Sequence, residues 1–210
     1  MSLLRFAPVL AACLIMSSCS GEKANGFITE NADIEVAEKG DVPRDDTGRP
    51  FHYKLLGQPV PEFEVTLPLG EVVTREALLG QWTVVEFWGL WCPDCIVDGP
   101  NVQKLADAIE KDPDLSLLTI HAPPSAQRAD EAYGKYGSVG AYFEAQGFDY
   151  IYALDPDASA KSAFQLSWVP TFLLVDPEGI VRGFQSDLGY GSEAPVQAFL
   201  DDVKRVIDAQ

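Results

Sequence analysis

The sequence predicts an α/β fold organised on a mixed β-sheet, and three observations predict it. Strand-like and helix-like segments alternate through most of the chain. The run Trp82–Trp88 is almost continuously apolar, as a central strand covered on both faces must be. Near the C-terminus two short strand-like segments flank Asp176-Pro177-Glu178-Gly179, a strong hairpin signal.

Length and composition bound the rest. The chain has 210 residues, 47% hydrophobic and 10% aromatic, which suffices for one ordinary core with peripheral segments. A formal charge of -17 excludes nucleic acid as a partner and excludes a basic patch for anionic lipid; its ordinary reading is a soluble, self-repelling surface. No run of about 18 apolar residues is present to span a membrane as a mature helix.

Residues 1–19 read as a signal peptide rather than as fold. One positive charge, Arg5, precedes an apolar run over 6–16 that is too short to span. Met16-Ser17-Ser18-Cys19 then resembles the lipobox of bacterial lipoproteins, in which the cysteine is diacylated and becomes the new N-terminus. On this reading Cys19 is the lipidation site. The protein is expected in the bacterial periplasm, anchored to the inner or outer membrane, or exported as a soluble protein if Cys19 carries no lipid. Residues 20–56 follow as an acidic tether, with seven acids between positions 30 and 46 against Lys39 and Arg44. Flexible chain of that length spans roughly 30–40 Å on average and about 120 Å at full stretch. Residues 57–210 form the folded domain.

Within the domain, 62–67 alternates like a strand, and a turn at 69–71 leads to Val72 and Val73, making an N-terminal β-hairpin. A short helix is expected over 75–79. After the central strand, 93–111 reads as a helix and Leu115–His121 as a second buried strand. A Gly-interrupted helix is expected over 129–146, a strand over 150–154 and a helix over 158–166. Strands at Thr171–Val175 and 180–185 form the terminal hairpin, and an amphipathic helix over 193–209 closes the chain.

The chemistry concentrates at Trp91-Cys92-Pro93-Asp94-Cys95, where a buried strand turns into a helix. Backbone N–H groups and the helix dipole there stabilise a thiolate, the form that attacks disulfides. Cys92 is the expected nucleophile, and Cys95, one turn on, the thiol that resolves the mixed disulfide. With Cys13 and Cys19 in the signal segment, the folded body keeps only this pair, too close in sequence to staple a fold. A structural zinc needs about four ligands, and His52 and His121 are the only histidines, so no metal is expected. No cofactor is expected beyond a redox-active Cys92–Cys95 disulfide. In the helix, Cys95, Asp98, Val102, Leu105 and Ile109 share one stripe, so Asp98 should point inward beneath Cys95. Glu86 lies within the buried strand. Enclosed carboxyls take raised pKa values and can carry the proton that Cys95 must lose, so both acids are candidate catalytic residues.

The segment from Leu79-Gly80-Gln81-Trp82 through Trp91-Cys92-Pro93-Asp94-Cys95 resembles the active-site segment of the thioredoxin-like TlpA/ResA/DsbE-type reductases. Val169-Pro170-Thr171-Phe172 resembles that family's cis-proline loop, and 176–179 the turn after it. The stretch 115–154 is similar in pattern to the family's central αβ insertion. The resemblance implies a thioredoxin fold and a protein thiol–disulfide oxidoreductase. It implies a cis Pro170 beside the disulfide and a Val169 backbone that receives a client strand, with Trp91 and Pro93 on the same rim. Glu86 falls where thioredoxins keep a buried acid and Asp98 where this subgroup often has Glu. Having both leaves open which acid serves Cys95.

Asp94 places a negative charge beside Cys92, which should disfavour its thiolate and make the couple a reductant. The expected partners are client proteins with disulfides, apocytochrome c among them through cytochrome c maturation, and a membrane electron donor of the thiol-reductase type. The protein is expected to act as a monomer. Two alternatives share the fold: a copper-binding metallochaperone using both cysteines with His121, and a disulfide oxidase or isomerase. A peroxidase is a third reading, although its nucleophile has no need of so tight a cysteine pair.

Overall fold

The computed structural model describes residues 27–30, 48, 53–189 and 193–210; Cys13, Cys19, His52 and most of the acidic segment lie outside the described residues. Eight strands among the described residues form one sheet: β1 (Ile28–Thr29), β2 (Glu64–Thr66), β3 (Val72–Thr74), β4 (Trp82–Trp88), β5 (Leu115–His121), β6 (Tyr152–Leu154), β7 (Thr171–Val175) and β8 (Val181–Gln185). Their spatial order is β1-β8-β7-β4-β5-β6-β2-β3. Four helices accompany them: α1 (Pro93–Ile109), α2 (Val139–Gln146), α3 (Ser159–Ala163) and α4 (Pro195–Asp208).

β4 pairs in parallel with β5 and antiparallel with β7, so the sheet is mixed as the sequence predicts. Its residues after Trp82 are all buried, which is why the run has no polar alternation. Phe87, Phe164 and Phe63 pack in series, tilted and edge-on, with ring centroids 4.9 and 5.3 Å apart. Each such buried side chain contributes about 1.5–3 kcal/mol of transfer free energy. The turn at Asp176 also forms as expected. The Asp176 carboxylate accepts from the Glu178 and Ile180 backbone N–H groups at 3.0 and 2.7 Å and from Arg182 Nε at 2.6 Å.

Two expectations need correction. The helix over 129–146 is not one element: a 3₁₀ turn at Ala126–Glu131 is followed by irregular chain and then α2. Gly134 and Gly137 stand between them at φ 52° and 77°, a left-handed conformation that no continuing helix accepts. Nor does the acidic tether run unbroken to residue 56. Ile28 and Thr29 pair with Phe184 and Gly183 and extend the sheet as its edge strand β1. The Phe27 ring packs edge-on against Phe199 of α4 at 5.6 Å, and Glu30 pairs with Arg182 at 3.2 Å. Tyr53 and Leu56, also assigned to the tether, are buried in the core. Apolar side chains within the acidic segment thus find long-range partners that outweigh its local composition.

Gly183 makes this docking possible, because a Cβ at that position would collide with the Phe27 ring. Phe27→Ala is expected to cost about 1–2 kcal/mol in urea unfolding. Gly183→Ala should cost more in the native chain than in the Phe27→Ala background. Equal costs in both backgrounds would show that the ring does not sit over Gly183.

Candidate active site

The end of β4 and the start of α1 place the two thiols. Cys92 is the residue before the first helical turn, and Pro93 takes the first helical position, where its missing N–H costs nothing. The intervening loop is pinned to the end of β5. Leu90 N–H donates to His121 Nε2 at 3.2 Å, and the Trp91 indole donates to the Ala122 carbonyl at 2.8 Å. On the other side β7 brings up the cis Val169–Pro170 bond, and the Cys92 thiol donates to the Val169 carbonyl at 3.3 Å. Cys92 and Cys95 are both free thiols and both buried.

The two thiols differ in opposite directions. A hydrogen bond from the Cys95 thiol, assisted by the Cys95 and Asp94 backbone N–H groups, pulls Cys92 below the ordinary cysteine value. Burial and the Asp94 charge push the other way and lose. The Asp94 effect therefore has the sign the sequence suggests, but its expected net outcome, a raised Cys92, is overturned. Cys95 is pushed well up, first by burial, then by the Cys92 hydrogen bond and charge, with Glu86 adding a smaller push.

The two candidate acids also separate. Both are buried, Glu86 at 2% and Asp98 at 1% exposure. Asp98 Oδ2 accepts from Leu188 N–H at 2.8 Å and Oδ1 from Gly189 N–H at 2.9 Å, with the Asn101 amide at 3.4 Å. Its carboxylate is committed to holding the chain after β8 against α1. Glu86 Oε2, in contrast, has no hydrogen-bond partner, and neither has the Trp88 indole N–H on the same face of β4. Burial, and secondarily the Asp98 charge, lifts the Glu86 carboxyl well above the usual range.

This arrangement can be set beside known proteins. Residues 56–184 match the AhpC/TSA family. The chain belongs to that family. It is 31% identical over 134 residues to the thiol-disulfide oxidoreductase YkuV of Bacillus subtilis, covering 62% of this chain and 85% of that one. It is 27% identical over 135 residues to the thiol:disulfide interchange protein DsbE of Allochromatium vinosum, covering 61% of this chain and 65% of that one. The crystal structure of StoA from Bacillus subtilis superposes with a TM-score of 0.52 at 22% identity, covering 69% and 97% of the two chains, which establishes the thioredoxin-like fold. This AhpC/TSA member is a thiol–disulfide oxidoreductase, and its resemblance to the TlpA/ResA/DsbE type stands.

Some residues that build the site in this family member escape a reading of the sequence. His121 is a clamp for the active-site loop. Its Nε2 is occupied by Leu90, its ring stacks on Tyr133 at 5.4 Å, and burial lowers it to about 4. Among the described residues no three His, Cys, Asp or Glu side chains are grouped to hold a metal ion. Trp168, just before the cis bond, keeps a buried indole N–H without a partner. A tryptophan beside the Val169-Pro170 motif was the available signal.

Asp98→Ala should remove about 2–4 kcal/mol of stability, because two enclosed backbone N–H groups lose their acceptor. Urea unfolding checks this, and an unchanged midpoint would show that the chain at 188–189 has other acceptors.

Proposed function

We propose that this thiol–disulfide oxidoreductase is an exported, membrane-tethered reductase of client proteins, with Cys92 as nucleophile, Cys95 as resolving thiol and Glu86 as proton carrier. The observation that carries the proposal is the opposed pair of thiols beside a buried carboxyl whose Oε2 has no hydrogen-bond partner. The Cys92 thiolate attacks one sulfur of a client disulfide and releases the other as a thiolate. Cys95 then gives its proton to the Glu86 carboxylate and attacks the Cys92 sulfur. A Cys92–Cys95 disulfide forms, the second client thiol leaves, and two electrons have passed to the client. A membrane dithiol donor restores the reduced pair. The Val169 backbone beside the cis bond offers a client strand its hydrogen bonds, with Trp91, Pro93 and Pro170 on the same rim. Apocytochrome c is a fitting client, because its thiols must be reduced before haem attachment. The Asp94 charge opposes the thiolate but is outweighed at Cys92, so the reducing direction rests on the resemblance to the TlpA/ResA/DsbE-type reductases. The lipobox-like segment ending at Cys19 supports export and a lipid anchor.

A thiol-buffer titration of the Cys92–Cys95 couple tests the direction. A potential near or below about -270 mV supports a reductase, and one near about -120 mV overturns it. Cys92→Ser should abolish reduction of insulin disulfides, and Cys95→Ser should accumulate mixed disulfides.

The Glu86 role has its own pH signature. Its carboxylate form grows as pH rises through a pKa lifted above the ordinary glutamate value of about 4.3, so the native resolving rate should climb across that window. Glu86→Gln should lack the climb and be slower by about 10² or more. An unaltered pH–rate profile overturns the assignment. For the anchor, Cys19→Ala should abolish palmitate labelling, and retained labelling would remove Cys19 as its site.

A further inference from the structure

Lysine is among the residues least often enclosed, because its ammonium loses water that few protein sites replace. Lys161 of α3 is nevertheless only 7% exposed. Its backbone is fixed by Asp155, whose Oδ2 accepts from Lys161 N–H at 2.8 Å and whose Oδ1 accepts from Ala160 N–H at 3.1 Å. Its side chain reaches away from this anchor. Nζ donates to the Pro124 carbonyl at 2.7 Å and to the Pro123 carbonyl at 3.5 Å, and lies 5.4 Å from the centre of the Trp91 ring. The same indole donates from its edge to the Ala122 carbonyl. Three successive carbonyls after β5 are thus held by Trp91 and Lys161, immediately beside Cys92.

We propose that Lys161 is a positioning residue for thiol–disulfide exchange: held between the Pro123 and Pro124 carbonyls and the face of Trp91, its ammonium locks the indole against the 122–124 loop and sets a positive charge near the attacking sulfur. The role rests on Cys92 being the attacking thiol. A cation over an indole face contributes about 0.5–2 kcal/mol, more where water is excluded. Desolvation lowers Lys161, while Asp155 and then the charges of Cys95 and Cys92 pull it back up and Arg128 opposes them. Of the other charged groups around the thiols, Asp94 acts against the Cys92 thiolate, Glu86 acts on Cys95, and Asp98 acts on Glu86. Lys161 is a cation that feels the charge of both thiols, Cys95 before Cys92, and by the same interaction would favour a thiolate.

The test titrates thiolate absorbance in the reduced full-length protein and maps iodoacetamide adducts by mass. In Lys161→Met the Cys92 step should move upward by about half a pKa unit, roughly threefold less thiolate below the midpoint. Lys161→Arg, which keeps charge and donors, should restore the native curve and the native rate of insulin reduction. Should Lys161→Met fail to fold, Lys161→Gln takes the same test, since it keeps one donor for the Pro124 carbonyl and loses the charge. Coincident curves for the native and uncharged variants overturn the role of Lys161 alone. Cys95 reacting first would overturn the nucleophile assignment and this proposal with it.

Discussion

The register of β4 between its two neighbours is the constraint on which the site depends. Glu86 pairs across to Thr119 on one side and to Phe172 on the other, and Trp88 lies opposite His121. Because those ladders are fixed, the chain leaving β4 emerges between the end of β5 and the start of β7. His121 and Ala122 receive it from one side and Val169 from the other. A shift of one residue would turn Glu86 to the opposite face and carry Cys92 off the Val169 carbonyl.

Around that frame the protein divides two chemically identical side chains into unequal partners. Cys92 sits at a helix start with donors aimed at it, whereas Cys95 lies one turn deeper, enclosed and next to an acid. Neither environment needs a metal or an organic cofactor to create the difference; depth and hydrogen-bond direction suffice. The surrounding aromatic residues serve the same end. Trp88, Tyr142 and Phe143 close over β4 with ring centroids within 6.2 Å of one another, and burial lifts Tyr142 to about 12, leaving it neutral beside Glu86. Low polarity there keeps the Glu86 carboxyl from ionising as readily as a surface glutamate would.

Much of this was legible in the residues. β4, β5 and β7 match the sequence reading to the residue, because they are short, largely apolar, rich in β-branched or aromatic side chains and too brief for a buried helix. The inward face of α1 was also readable, since Asp98 shares a three-and-four spacing with plain core residues. What held Asp98 was not, because Leu188 and Gly189 are some ninety positions away and contribute backbone rather than side chain. The fall in the Cys92 pKa was hidden for a related reason. The Asp94 charge is two positions away in sequence, but the larger influence is a thiol–thiol hydrogen bond that exists only once the helix forms. β1 was illegible because two residues carry no periodicity. Its reason for existing lies in a glycine of β8 and a phenylalanine of α4.

That edge strand also changes what a lipid at Cys19 would mean. β1 runs antiparallel to β8, which places Phe27 at the end of the sheet where Gln185, Phe172 and Glu86 lie level, the end that carries Cys92. Position 19 precedes Phe27 by eight residues. Whatever their path, eight residues reach at most about 26–29 Å, not the roughly 120 Å of an undocked tether. A compact domain of this size is itself about 38 Å across. A leash from a lipid at Cys19 would therefore be shorter than the body it held, and its attachment at Phe27 would lie on the catalytic side. Such an enzyme would be held to a thin layer above the bilayer, turning the search for a membrane electron donor from three dimensions into two.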